Sequence, residues 1–158
     1  MTGLMFSAPL TITASTLDLD IVSLVAGTAG VFCVHELHVG QMTEFGDAAA
    51  EMIDFKISRF EGAFTIGSVG TAGTEEPLHT GGPAAATSMR FGDTTITTGG
   101  TEAILKRDSW HVAAGLHYVP LPSARVWVSP TDAFVCWFDA PDDAIDYRGY
   151  VVWEEFGN

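Results

Sequence analysis

Basic side chains are scarce in this chain. Its 158 residues include 20 acidic and 7 basic side chains, which gives a formal net charge of -13. Such a balance repels phosphate groups and anionic lipids, so we expect neither direct nucleic-acid binding nor binding to a membrane surface. It favours solubility, and it suits a basic or cation-bridged protein partner. The seven bases are Lys56, Arg59, Arg90, Lys106, Arg107, Arg125 and Arg148.

Cysteines and long apolar runs are also few. Cys33 and Cys136 are the only cysteines, and both lie in strand-like runs, so buried free thiols are expected and a disulfide framework is not. The longest apolar region, residues 21–39, is interrupted by polar residues and glycines and cannot serve as a membrane span. The first residues have no basic leader and no unbroken apolar core, so no secretion signal is expected.

Helical spacing of apolar residues is almost absent, and period-two alternation replaces it. Ile53, Phe55 and Ile57 alternate with polar residues, as a strand with one buried face requires. Residues 31–39 show a similar pattern, which predicts Cys33 and His35 on one face with the apolar residues that follow. Residues 134–138 are apolar on both faces and predict a central strand covered on both sides, and residues 150–153 resemble them.

Turn-forming residues separate these runs throughout the chain. About eight to ten strands at intervals of order ten residues, without intervening helices, indicate an all-β fold, an antiparallel β-sandwich or barrel. We favour the sandwich. Residues 1–158 have the length of one such domain. A helical turn at residues 47–52 is expected only as a connection.

Residues 67–88 predict one long loop. They are rich in Gly, Thr, Ala and Pro and include Glu75, Glu76 and His79. Connections of this length are uncommon in compact domains and are often functional. Two interpretations stay open, namely a solvated surface excursion and a loop that reaches across to a neighbouring subunit.

Recognisable metal motifs are missing. Zinc proteases place two histidines four residues apart on a helix, whereas His35 and His38 are three apart in a predicted strand. Positions three apart on a regular strand point to opposite faces, and cupin-type metal sites need a spacing of two. We therefore expect no metal site, with His35 as a hydrogen-bonded core or subcore residue and His38 on the surface.

Catalytic motifs are missing as well. Asp108, Ser109, His111 and His117 supply the residue types of a hydrolytic triad, but neither they nor Ser68 lie in a Gly-x-Ser-x-Gly turn. The acids at 139, 142, 143 and 146 do not have the spacing of an EF-hand calcium loop. The sequence thus predicts no catalytic residue and no cofactor.

Tryptophan is the most informative residue type that the chain does have. Trp137 and Trp153 lie in apolar strands and are predicted to be core residues, whereas Trp127 alternates with Val126 and Val128 and points away from them. An exposed Trp127 is typical of an interface or ligand anchor. The candidate interface residues are Trp127 and the three polar residues of the long loop, Glu75, Glu76 and His79.

The last third of the chain has an ordered set of landmarks. They are Asp108-Ser109-Trp110, GLHYVPLP at 115–122, RVWVSP at 125–130, Ala140-Pro141 and GYVVWEE at 149–155. This order resembles a group of small proteins encoded by tailed bacteriophages and prophages. The resemblance is clearest over roughly the last fifty residues, and its members look like jelly-roll virion components.

The resemblance implies a jelly-roll sandwich and a structural role on the virion, with no catalytic residues to transfer. The expected function is that of a capsid decoration or cement protein that binds the major capsid protein lattice on the capsid surface as a homo-oligomer, with a trimer as the guess. A head-to-tail or tail-associated component is a close variant. A carbohydrate-binding or receptor-binding sandwich that uses Trp127 is the alternative from another class, and a cupin-type enzyme ranks third.

Overall fold

The computed structural model of the protein describes residues 3–43 and 51–157. These two ranges contain twelve β-strands and a single 3-10 turn, Pro122–Ala124. Most of the predicted helical connection at 47–52 lies outside the described residues, and Met52 begins a strand. The strands are β1 (Leu4–Ser15), β2 (Leu19–Val25), β3 (Val31–Gln41), β4 (Met52–Thr65), β5 (Thr71–Ala72), β6 (Glu76–Pro77), β7 (Ser88–Phe91), β8 (Thr98–His111), β9 (Leu116–Tyr118), β10 (Trp127–Val128), β11 (Ala133–Phe138) and β12 (Ile145–Phe156).

Two six-stranded sheets form a sandwich, which confirms the all-β prediction. The first sheet, sheet A, has the order β10-β3-β12-β1-β6, and β9 pairs with β3 as well. The second, sheet B, has the order β5-β7-β2-β11-β4-β8. Every pairing between these strands is antiparallel. No helix in the described ranges is long and apolar enough to cross a membrane.

Nine of the twelve described strands pair in a nested order along the chain. β1 pairs with β12, β2 with β11, β3 with β9 and β10, and β4 with β8. In the outer pairs, one strand comes from the first part of the chain and its partner from the last part. The innermost pair, β4 with β8, comes from the middle of the chain. The folding of the sandwich therefore depends on contacts that are distant in sequence, and residues 66–97 form an excursion between β4 and β8.

The core lies between the facing sides of the two sheets. Trp153, Phe6 and Tyr147 from sheet A pack with Phe55 and Phe138 from sheet B, and all five are at most 2% exposed. The predicted central strand is confirmed, since β11 lies between β2 and β4 and Val135 on its outer side is also buried. The similar prediction for residues 150–153 is confirmed in part, because β12 lies between β3 and β1, but Tyr150 is exposed on the outer side of the strand.

A β-bulge in β3 changes which faces its side chains occupy. Val152 pairs with Glu36 but Trp153 pairs with Val34, so His35 is an extra residue in β3. Cys33 and His35 consequently lie on the outer face of sheet A, whereas Leu37 and Val39 belong to the core. The prediction that Cys33 and His35 share a face with Leu37 and Val39 is wrong, because an inserted residue reverses strand alternation.

The long connection at 67–88 is more ordered than the sequence predicts. Its short strand β6 pairs with β1 of sheet A, and β5 pairs with β7 of sheet B. The backbone N–H groups of Ala86 and Thr87 donate to the buried Glu155 carboxylate, each at 2.9 Å. The connection is therefore fixed to both sheets of its own domain. Both cysteines are buried and free, as predicted.

Candidate interaction surface around Trp127

Trp127 lies in β10, at the edge of sheet A. Its neighbours Val126 and Val128 are buried in the core, and Trp127 itself is 50% exposed. The predicted outward orientation of its side chain is thus confirmed. The indole stacks on the Phe156 ring, with centroids 5.2 Å apart and planes inclined by 29°. Because this contact holds the indole in place, binding a partner would cost less side-chain entropy than ordering a mobile residue.

A cleft of about 510 Å³ opens beside Trp127. The edge of sheet B, formed by β4 and β8, supplies Arg59, Leu105 and Lys106, and the segment from β9 to β10 supplies the opposite wall. The volume lies within the range of about 300–1,000 Å³ that is usual for ligand sites. The lining residues from the second wall are Tyr118, Pro120, Ser123, Ala124, Arg125, Val126 and Trp127.

Three of the seven basic side chains of the chain meet at this cleft. Arg59 pairs with Glu61 at 2.6 Å and donates to the Trp127 carbonyl at 3.5 Å. Lys106 lies over the Phe55 and Tyr118 rings, 5.6 and 5.9 Å from their centroids. Among the described residues, no carboxylate lies within 4 Å of the charged nitrogens of Lys106 or Arg125. The cleft is therefore basic in a strongly acidic protein.

Arg125 has unused hydrogen-bonding capacity. Its Nε is buried and has no hydrogen-bond partner within residues 3–43 and 51–157. Its NH1 lies 3.4 Å from Nε2 of His35, which forms a shorter contact of 2.9 Å with the Glu154 carboxylate. A buried donor without a partner costs about 1–3 kcal/mol.

Exposed apolar side chains line the cleft beside its bases. Leu105 is 45% exposed and Trp127 50%, and Tyr118 and Pro120 also line the cleft. We call this apolar cleft with its basic centre the Trp127 surface. Apolar patches of this kind mark contact sites more often than single exposed residues do.

The β8 edge borders the same cleft. β8 is the last strand of sheet B and pairs only with β4 along its described length. Each of its positions is exposed except Ala103, Trp110 and His111. Its outer backbone N–H and C=O groups are therefore available to pair with another chain, although Lys106, Arg107 and Asp108 supply the charge that commonly protects such an edge.

Cys33, His35 and Glu154 lie behind the Arg125 wall, with their ligand atoms within 4.8 Å of one another. Burial and the nearby Glu154 carboxylate raise the pKa of the Cys33 thiol to about 11. The thiol is therefore protonated at neutral pH and a poor nucleophile, and a metal ion would have to displace its proton to bind there. The guanidinium of Arg125 beside His35 also disfavours a cation there. His35 is hydrogen-bonded, as predicted.

The bulge in β3 corrects the prediction for the two histidines of this strand. Both His35 and His38 lie on the outer face of sheet A, and not on opposite faces. His38 contacts His117 of β9, whereas His35 contacts Glu154. Within the described ranges, neither His35 nor His38 forms a hydrogen bond with a serine. Ser109 forms no hydrogen bond with His111 or His117 in these ranges either.

The other predicted interface residues lie far from Trp127. Glu75 accepts a hydrogen bond from the Met89 backbone N–H at 2.7 Å, and Glu76 pairs with Ser7 in the β6–β1 ladder. His79 is exposed in the turn that follows β6. Because β6 and β10 form opposite edges of sheet A, the structure does not bring these residues together with Trp127.

Sequence reasoning missed the basic residues of the cleft. Arg59, Lys106 and Arg125 lie on three separate segments, and only the sandwich joins them. The scarcity of basic residues was the signal that could have pointed to them. With only seven bases in 158 residues, any basic residue is a candidate for a specific role. No protein-family model, curated protein or solved structure matches this chain.

Proposed function

We propose that this chain is a non-enzymatic structural protein that binds a partner protein through the Trp127 surface, and that it acts as a decoration or cement protein on a phage capsid. The observation that carries the binding role is the presence, at one cleft, of the half-exposed Trp127, the exposed Leu105 and two bases, Lys106 and Arg125, that have no ion-pair partner among the described residues. Interface anchors are enriched in Trp, Tyr and Arg, and all three line this cleft. The capsid assignment rests on the resemblance of the last third.

The strand order supports the proposal of a jelly roll. A jelly roll is a double-sheet fold made of two Greek keys in eight strands. A long hairpin that is rolled into a sandwich produces nested strand pairs. This chain has such pairs, namely β1–β12, β2–β11, β3–β9/β10 and β4–β8. In this proposal, β5, β6 and β7 are additions that extend the two sheets at the side away from Trp127.

The free edge of β8 favours a protein partner over a small ligand. A partner strand can add to an exposed sheet edge, with main-chain hydrogen bonds for affinity and side-chain pockets for specificity. The cleft beside β8 would supply the pocket. On a capsid lattice, many copies would then multiply a moderate affinity, and a trimer is the assembly that we propose for this chain.

Trp127→Ala is expected to weaken binding to the source capsid by at least about tenfold, since truncation of a central anchor typically costs about 2 kcal/mol or more. Cosedimentation with particles stripped of this protein measures the effect. Unfolding midpoints should stay close to wild type, because half of the side chain is exposed.

Leu78→Ala is the matched control, since Leu78 is 56% exposed near β6, at the opposite edge of sheet A. It should bind like wild type. Loss of binding in Leu78→Ala but not in Trp127→Ala would place the interface on the 67–88 connection. Purified virions that lack this chain by mass spectrometry would contradict the capsid assignment altogether.

The exposed indole also favours a second candidate, a carbohydrate-binding sandwich. Aromatic faces pack against the apolar sides of sugar rings, and the cleft has room for a ligand of that size. Binding on a glycan array that Trp127→Ala abolishes would support this candidate. Tight capsid association without any glycan binding would exclude it.

A further inference from the structure

Two imidazole rings are in contact on the outer face of sheet A, away from the Trp127 surface. His38 of β3 and His117 of β9 are directly opposite each other in the antiparallel ladder, and their ring centroids are 4.1 Å apart. The flanking residues Leu37, Val39 and Leu116 are buried in the core, so both rings point outward. The backbone of two hydrogen-bonded strands thus fixes their separation.

Neither ring forms an ion pair with a described carboxylate, although the nearby Glu36 acts on His38 electrostatically and opposes the lowering of its pKa. Among the described residues, His35 is the only histidine in an ion pair, so His38 and His117 have no acidic partner within 4 Å. Glu36, which lies nearby, accepts a hydrogen bond from the Tyr150 hydroxyl instead. The ring nitrogens are consequently not committed to a salt bridge.

An open cleft of about 310 Å³ adjoins His38. It leaves room for a hydrated ion, and its other lining residues are Gly40, Gln41, Met42, Arg148, Gly149 and Tyr150. Arg148 is exposed, so water screens its charge. This differs from the cluster of Cys33, His35 and Glu154, where a partly buried Arg125 lies 3.4 Å from the histidine nitrogen.

Neutral imidazole is the commonest protein ligand for divalent transition metals. Burial lowers the pKa of His38, and the adjacent His117 lowers it further. The net charge of -13 also raises the local concentration of cations. The two ring centroids are 4.1 Å apart, and the χ2 torsions of histidine have broad minima, so ring rotation can change the direction of each nitrogen at low cost.

We propose that His38 and His117 together bind a divalent transition-metal ion, such as Zn²⁺ or Ni²⁺, with water molecules in the remaining positions. The site lies on β3 and β9 and does not depend on the function proposed for the Trp127 surface. A metal held there would link the short edge strand β9 to the long strand β3.

Isothermal titration of the metal-free chain with Zn²⁺ tests the site. Wild type should bind one ion per chain. His38→Ala and His117→Ala should each weaken binding by at least about tenfold, since even the loss of a residue that only orients a ligand costs about 10–100-fold. Zn²⁺ should also raise the unfolding temperature of wild type and not that of the two variants.

Two further histidine variants make the result specific. His79→Ala, in an exposed turn, should bind Zn²⁺ like wild type. Binding that His35→Ala abolishes and that His38→Ala leaves unchanged would overturn the proposal in favour of the Cys33 cluster. A thiolate charge-transfer band in the Co²⁺ spectrum would point the same way, and no measurable Zn²⁺ binding by wild type would also overturn it.

Discussion

Gly149→Ala is expected to destabilise the fold by at least about 3 kcal/mol. Gly149 lies in β12, at the centre of sheet A, opposite Val39 of β3. A Cβ at this position would overlap the His38 carbonyl oxygen and come within 3.0 Å of the Val39 Cα. Both atoms belong to the backbone of a paired strand, so no side-chain rotation relieves the overlap. Overpacking of a core costs about 1–3 kcal/mol and more where the backbone has to move.

Thermal unfolding followed by circular dichroism measures this effect. A loss of 3 kcal/mol corresponds to a fall of about 6–12 °C in a domain of this size. Gly40→Ala is the matched control, because Gly40 pairs with Arg148 one step along the same ladder and its nearest atoms are 3.9 Å from an added Cβ. Equal stability of the two variants would mean that β3 and β12 are not paired in this register.

The all-β sandwich could be predicted from the sequence because strand alternation is a local property. Ile53, Phe55 and Ile57 show their buried face directly, and the apolar run of β11 shows a strand covered on both sides. The inserted residue His35 could not be predicted, since nothing in the sequence distinguishes a bulge from a regular strand. One such residue was enough to reverse the faces predicted for Cys33 and His35.

Only the part of the candidate site that depends on local sequence could be predicted. The outward orientation of Trp127 follows from its immediate neighbours. The convergence of Arg59, Lys106 and Arg125 depends on the order of the strands in two sheets, which local patterns do not determine. The long connection was misjudged because its strands, β5 and β6, are only two residues each and are held by long-range pairing.

The distribution of acidic and basic residues bears on the proposed binding role. The chain has twenty acids and seven bases, and three of these bases lie at one apolar cleft. Copies of the chain would repel one another except where the Trp127 surface faces an acidic group. The decoration role that we propose would need this selectivity, because such a protein has to bind a lattice without aggregating in solution.

Glu155→Ala is expected to cost about 3–5 kcal/mol. The side chain is only 3% exposed and accepts hydrogen bonds from the Trp153 indole at 3.0 Å and from the N–H groups of Ala86 and Thr87 at 2.9 Å. Alanine would leave three buried donors without this acceptor, and each such donor costs about 1–3 kcal/mol. Alternation along β12 already places residue 155 on the face of Val151 and Trp153, so the sequence contained this signal.

Urea unfolding at neutral pH measures the loss, and Glu154→Ala is its neighbouring control. Glu154 points to the outer face, where it forms an ion pair with His35 at 2.9 Å, so its removal should cost about 1 kcal/mol or less. Limited proteolysis should cut the 82–88 region faster in Glu155→Ala than in wild type, because the carboxylate holds Ala86 and Thr87. Equal cutting would contradict the role of Glu155 in fixing this connection.

The contribution of the Glu155 carboxylate to the free energy of unfolding should disappear in acid. Burial alone would raise its pKa, but hydrogen bonds from Trp153, Ala86 and Thr87 outweigh burial, so the pKa lies below its ordinary value. A carboxyl whose pKa is lower in the folded state stabilises the fold fully above its unfolded pKa of about 4.3, and this stabilisation is lost as the pH falls through the folded pKa. Glu155→Gln mimics the protonated form. The difference in unfolding free energy between wild type and Glu155→Gln should therefore be constant from pH 7 to about pH 5 and become smaller below about pH 4. A difference that does not change with pH would show that the charge on Glu155 contributes nothing to stability.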